Sequence, residues 1–310
     1  MTTPCMFGAD WYRSKETADT EDINTGSSQW DLEESDLVLG KPIGSGSFAD
    51  VFEASLKTKK GPSQKVAAKR LYSQMCTADS MKEVKEDHQK ELDFQCKLKH
   101  KNIITFIGVI LTKTTMIFVS ELAAKGSLFD FLRRPNHHPL SEKRLLRWML
   151  QAACSIQYLH RKNVVHRDIK SLNYLVADDN TLKLCDFGIA KSITRTVDTI
   201  QKGSFPWMAP EVFIEQKVSH KSDIYSYGVV IWELKTGKIP FGKMDGAAIM
   251  WAVGNGKRPP IPGDCTQPIR NLLRQCWEGD RRNRPHIDSI VSDVKGMLNL
   301  LRLETSVCLG

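Results

Sequence analysis

From Leu37 onward the chain alternates short apolar runs with turn residues. The segments L-V-L-G-K-P-I, V-F-E-A-S-L and K-V-A-A-K-R are separated by a Gly-rich turn and by T-K-K-G-P-S-Q, which predicts three consecutive antiparallel strands. Ser80 and Glu83 then form a capping-box pattern ahead of a charged helix running to about Lys97, with Glu86 and Lys90 as a supporting i,i+4 pair. Two more strands are predicted near Ile103 to Leu111 and Thr115 to Glu121. After Gly126 the period changes. Leu145, Met149, Ala152, Ile156 and Leu159 recur every three or four residues, one face of a long amphipathic helix. The run Ser222 to Lys235 is apolar on most sides and stops at Gly237, as expected of a helix buried at the centre of a lobe. Ile269, Leu272, Leu273 and Cys276 mark another helix, and Ile287, Ile290, Val294, Met297 and Leu301 mark the last. A strand-rich part followed by a helical remainder predicts an α+β, bilobal body. A small antiparallel β lobe with one helix (residues 37–121) joins a larger, mainly helical lobe (residues 124–302), and the crevice between them should hold the ligand.

Charge changes the picture at one end. Residues 1–36 carry nine acidic residues against Arg13 and Lys15, leaving −7 there and +15 on the other 274 residues, for a net charge of +8. With few aliphatic residues, that acidic segment cannot offset the entropy of ordering, which predicts a disordered N-terminal tail; residues 303–310 form a short C-terminal one. The basic remainder suits a phosphate-rich ligand or an acidic partner, but no basic run with interleaved aromatics marks a nucleic-acid platform. No stretch of about 18 apolar residues predicts a membrane span, and M-T-T-P-C-M-F-G-A-D does not read as a signal peptide. The eight cysteines are scattered without a C-x-x-C pair, so reduced thiols are expected, in the cytoplasm or alternatively the nucleus.

The chemistry is concentrated in a few motifs. G-S-G-S-F-A-D-V at 44–51 lies between two predicted strands, where Gly44 and Gly46 let backbone amides approach phosphate oxygens. Alone, Gly-Ser-Gly fits any hairpin. Lys69 in V-A-A-K follows on a strand, and Glu91 on the next helix can hold its ammonium as an ion pair. H-R-D-I-K-S-L-N at 166–173, D-F-G at 186–188 and W-M-A-P-E at 207–211 follow in order. In this pattern Asp168 is the proton acceptor that orients a hydroxyl, and Lys170 compensates charge on the transferring phosphoryl group. Asn173 and Asp186 offer the hard oxygen donors that magnesium prefers.

On these motifs, residues 37–302 resemble a eukaryotic protein kinase domain. The resemblance implies the bilobal kinase fold, ATP and Mg2+ as cofactors, and protein substrates. It implies an ATP site built from the loop Ile43, Gly44, Ser45, Gly46, Ser47, Phe48 and Ala49. Ile43, Val51, Ala67 and Leu175 would enclose adenine, while the backbones of Glu121 and Ala123 would bond its edge. Lys170 resembles serine/threonine kinases; W-M-A-P-E, S-D-I-Y-S-Y-G-V-V-I-W-E-L and C-W-E-G-D-R-R-N-R-P are similar to mixed-lineage kinases, Raf and the TGF-beta-activated kinase. Serine/threonine specificity similar to MAP kinase kinase kinases is therefore expected, with MAP kinase kinases as substrates and a monomer or transient dimer as the working state. The alternatives are a pseudokinase scaffold and a tyrosine or dual-specificity kinase. The family also implies a Glu211–Arg284 ion pair, and Asp223 as a cap for the catalytic loop.

Between Asp186 and Glu211 the chain holds Ser192, Thr194, Thr196, Thr199 and Ser204. A phosphate on Thr194, Thr196 or Thr199 could pair with Arg167 and order this segment, while Ser204 sits where the acceptor is shaped. Four positions depart from the family pattern: Ala49 for a third loop glycine, a small Ser120 before the lobe connection, Gln95 for an apolar contact, and D-R-R-N-R-P without its usual proline. Cys185 is either a reactive thiol beside the ATP site or a small buried hydrophobe.

Overall fold

The computed structural model describes residues 31–46, 49–58, 61–71, 97–112, 116–135, 139–186 and 204–307. Its first lobe is an antiparallel sheet of β1 (Leu37–Ser45), β2 (Ala49–Thr58), β3 (Gly61–Leu71), β4 (Phe106–Leu111) and β5 (Met116–Glu121), ordered β1-β2-β3-β5-β4. Side chains alternate between faces. Ala54, Val66, Ala68, Ile117 and Val119 are buried together on one face; Ala49, Leu71, Met116 and Phe118 form a smaller cluster on the other. Pro42 is tolerated because β1 is an edge strand. The other edge, β4, is covered by residues expected to belong to the acidic tail: Asp31 bridges to Val109, and Leu32 N donates to Val109 O at 2.9 Å. The ordered body thus begins before Leu37, because an open strand edge offers unpaired backbone partners. Tail residues 1–30 and the predicted helix of residues 80–97, bar Lys97, lie outside the described residues.

The second lobe contains α1 (Leu128–Phe131), α2 (Glu142–Arg161), a hairpin of β6 (Tyr174–Val176) and β7 (Leu182–Leu184), α3 (Pro210–Ile214), α4 (His220–Thr236), α5 (Gly246–Gly254), α6 (Gln267–Cys276) and α7 (Ile287–Val307). One core runs through α2, α4, α6 and α7. The predicted face of α2 is buried, from Leu145 through Leu159. Helix α4 is buried on nearly every side, as its unbroken apolar sequence requires. It starts with a Ser219/Ser222 capping box and ends at Gly237, whose φ of 65° few other residues tolerate. A Cβ on Gly228 would come within 2.7 Å of Cys276 Cβ, so glycine there is what lets α6 approach.

Two boundaries differ from the sequence reading. The strand expected from Ile103 starts at Phe106, because Ile103 bridges instead to Leu184 of the second lobe. The last helix continues to Val307, past the expected boundary at 302.

Candidate active site

The cleft face of the first lobe is set by register. Val51 on β2 lies opposite Lys69 on β3, Ala67 lies opposite Ser120 on β5, and Gly44 lies opposite Val51. Val51, Ala67 and Lys69 therefore share one face, away from the Val66 and Ala68 cluster. The turn before β2 is closed by Gly46 N donating to Ala49 O at 2.9 Å. Cβ atoms on Gly44 and Gly46 would meet neighbours only at 3.8 and 3.6 Å, so packing inside the hairpin does not demand glycine there. Ala49 does have a packing reason: its methyl is buried against Leu71 and Phe118. Ile43 and Ser45 are exposed on the rim, and Ser47 and Phe48 lie outside the described residues.

The lobe connection is clamped by Glu121. Its carboxylate accepts from Thr105 N at 2.7 Å and from Lys183 Nζ at 2.8 and 2.9 Å. Lys183 faces Leu175 across the β6–β7 hairpin, and Leu175 bridges to Ser127, which places Leu175 beneath the connection. Ala123 is buried there, its carbonyl accepting from Gly126 N.

The loop after α2 carries the reactive groups. Its backbone is held by Asp223 of α4, whose carboxylate accepts from His166 N at 2.9 Å and Arg167 N at 3.0 Å and meets His160 Nε2 at 2.9 Å. That anchor retains Arg167 at φ 71°, a left-handed conformation costing a non-glycine residue about 1–3 kcal/mol. Asp168 is then fixed from two sides. Asn173 Nδ2 donates to its backbone oxygen at 2.8 Å and its carboxylate at 3.0 Å, and Lys170 Nζ lies 2.9 Å from the same carboxylate. Lys170 also donates to Ser204 Oγ at 2.9 Å.

Asp186 follows β7 at φ 66° and forms an ion pair with Lys69 of the opposite lobe. Burial works against both charges, but each holds the other: the Asp186 carboxyl stays below its usual range and the Lys69 ammonium above its own. Glu91, the partner expected for Lys69, lies outside the described residues, as do Gln95, Ser192, Thr194, Thr196 and Thr199. Burial, reinforced by Asp186, pushes the Cys185 thiol well up, which matches a small hydrophobe rather than a reactive thiolate.

Among the described residues no three His, Cys, Asp or Glu side chains cluster as a metal cage. An amide oxygen from Asn173 and a half-exposed Asp186 carboxylate fit magnesium nonetheless, since that ion completes its shell with water and phosphate oxygens. The expected Glu211–Arg284 pair is bidentate and buried, at 2.6 and 2.8 Å, with Arg284 also donating to the carbonyls of Lys221 and Glu278.

A third buried carboxylate, after Asp223 and Glu211, escaped the sequence reading. Glu233 of α4 accepts from Ser171 Oγ at 2.7 Å, Trp207 Nε1 at 2.6 Å and Arg133 at 2.8 Å. It ties the catalytic loop, the W-M-A-P-E turn and the turn after α1 to one point. The signal was present: an acid inside the apolar stretch of a helix is almost never buried without partners.

Comparison with known proteins agrees with this geometry. The family described as "Protein tyrosine and serine/threonine kinase" matches residues 37–294. The chain is 32% identical over 278 residues to serine/threonine-protein kinase STY17 of Arabidopsis thaliana, covering 89% of this chain and 46% of that protein. It is 38% identical over 234 residues to mitogen-activated protein kinase kinase kinase 12 of Rattus norvegicus, covering 73% of this chain and 26% of that protein. The chain thus spans less than half the length of the curated relatives it matches.

Proposed function

Because this chain belongs to the protein tyrosine and serine/threonine kinase family, we propose that it is an ATP-dependent serine/threonine kinase of the MAP kinase kinase kinase type. The observation that carries this reading is the Asp168 carboxylate locked by Asn173 and by Lys170, with Lys170 reaching on to Ser204. In this reading Asp168 accepts the proton of a protein hydroxyl and aims it in line at the γ-phosphoryl group. Such transfer depends on positioning and charge neutralisation more than on basicity. Lys170 spans the acceptor side and the base, so its ammonium is placed to offset charge on the moving group. Lys69 holds the α- and β-phosphates, with Val51, Ala67 and Leu175 enclosing adenine. Asn173 and Asp186 would hold magnesium, which would supply neutralisation of phosphate charge when bound.

The deciding experiment is transfer of radiolabelled phosphate from ATP to a generic basic protein, followed by acid hydrolysis. Labelled phosphoserine and phosphothreonine are expected. Asp168→Asn should lower the rate about 10²- to 10⁴-fold with the fold intact. Label on tyrosine alone, or transfer indifferent to Asp168→Asn, would overturn the assignment.

MAP kinase kinases are the substrates this reading favours, supported by the likeness to mitogen-activated protein kinase kinase kinases; a panel of inactive MAP kinase kinases tests it, and no label on any member refutes it. We place the protein in the cytoplasm, in keeping with four free thiols among the described residues; fractionation that finds it in the nucleus alone would refute this. A phosphate on Thr194, Thr196 or Thr199 pairing with Arg167 is the proposed switch. Replacing all three with Ala should lower turnover about tenfold or more by removing the ordering charge, and unchanged turnover would dispose of it.

A further inference from the structure

On the second lobe, away from the cleft residues, a cavity of about 670 Å³ opens between α1, the start of α2 and the β6–β7 turn. Its cationic lining is Arg134, Lys143, Arg144 and Arg147. None of these four pairs with a carboxylate among the described residues. Lys143 and Arg147 stand one helical turn apart, an arrangement of like charges that weakens a helix unless something offsets it. Among the described residues the only acid in the lining, Asp179, is already occupied, accepting from Thr181 N and Oγ1 at 2.8 Å each.

The floor differs in character. Phe131, Leu140 and Trp148 line it, with Trp148 and Phe131 packed edge to face at 5.3 Å. The Arg134 guanidinium lies 4.8 Å from the Phe131 ring centroid and that of Arg144 lies 5.6 Å from Trp148. Stacking orients both planar groups before any ligand arrives; Arg134 Nη2 already donates to Lys125 O, so it is the Arg144 fork that is placed to match a carboxylate with two parallel hydrogen bonds. Trp148 Nε1 donates to Asn180 O and Gln151 accepts from Leu182 N, so the walls are fixed by their own bonds.

We propose that this cavity docks an acidic segment of a partner protein, its carboxylates on the arginines and one aliphatic or aromatic side chain in the apolar floor. Concavity with an apolar base is what side-chain insertion needs. A nucleic acid is the poorer fit: stacking requires an open ring face, and Trp148 is only 2% exposed. The chain's own acidic N-terminal residues share the charge but are a different occupant. The proposal does not depend on the phosphoryl-transfer reading.

The test measures fluorescence anisotropy of a labelled peptide with an Asp/Glu-rich half followed by a single leucine, titrated with the full chain. Saturable, salt-sensitive binding is expected, weakened about tenfold or more in K143E/R147E, whose exposed side chains leave the fold unaffected. Replacing that leucine with serine should also weaken it. Equal binding by wild type and variant, or by a polyglutamate of the same length, overturns the site. Single-stranded DNA binding more tightly with the same dependence on Lys143 and Arg147 overturns the ligand class. Displacement of the probe by a synthetic peptide of residues 10–22 at equal affinity overturns the assignment to a partner.

Discussion

Two of this molecule's ion pairs stand at opposite extremes of closure. Glu211–Arg284 sits inside the second lobe, with side chains 4% and 0% exposed; Lys69–Asp186 spans the cleft, with side chains 30% and 49% exposed. The first is closed in every direction: two parallel hydrogen bonds, two carbonyl acceptors, and the Tyr225 ring beneath the guanidinium. The second is partly open to solvent and takes one partner from each lobe. A buried, fully bonded pair cannot change partners without a large penalty, whereas a solvated one can exchange a carboxylate for a phosphate at little cost. The buried pair holds architecture; the exposed pair is where chemistry can enter.

The largest effect is expected from Arg284→Ala. Leaving Glu211 buried without its counter-charge should cost about 3–5 kcal/mol of stability, read from urea midpoints. A loss under about 1 kcal/mol would mean that the two pairs are not different in kind. Next, Lys69→Met should lower phosphoryl transfer about 10²- to 10³-fold, since a lost charge contact to the reacting phosphates is felt in turnover. The same variant should alter stability by no more than about 1 kcal/mol. A destabilisation comparable to that of Arg284→Ala would erase the distinction. The smallest effect concerns pH. Asp186 has a depressed carboxyl, so its contribution is present above the ordinary aspartate value of about 3.9 and is lost as pH falls through the folded value. Lys69 is raised, so its contribution holds below about 10.4 and is lost only as pH rises through its own higher value. The stability difference between wild type and Lys69→Met should thus stay flat from about pH 5 to 9 and shrink on further acidification. A slope within the neutral range would require another titrating group.

The sequence disclosed much of this arrangement and missed the rest for identifiable reasons. Period and turn chemistry found the strands of the first lobe and the helices α2, α4, α6 and α7, because amphipathic and wholly apolar patterns report burial directly. The β6–β7 hairpin went unread: its three-residue strands carry too little pattern for a period of two to register. Motif order pointed to Asp168, Lys170, Asn173 and Asp186, which the fold brings into one cleft with Lys69. Ala49 looked like a departure in the phosphate loop, and only its burial against Leu71 explained it.

By itself the sequence determined which residue types stand at which positions along each element, and hence the family and the identity of the candidate reacting groups. Local pattern and fixed spacing carry that information. The tertiary structure alone decided that His160 would join the loop on the Asp223 carboxylate, that Glu233 would join three separate segments, and that four cations would line one cavity. Each of the two carboxylates lies tens of residues from the groups it holds. What joins them is the burial of a common core, and no periodicity along the chain encodes which distant side chains that burial brings within hydrogen-bonding reach.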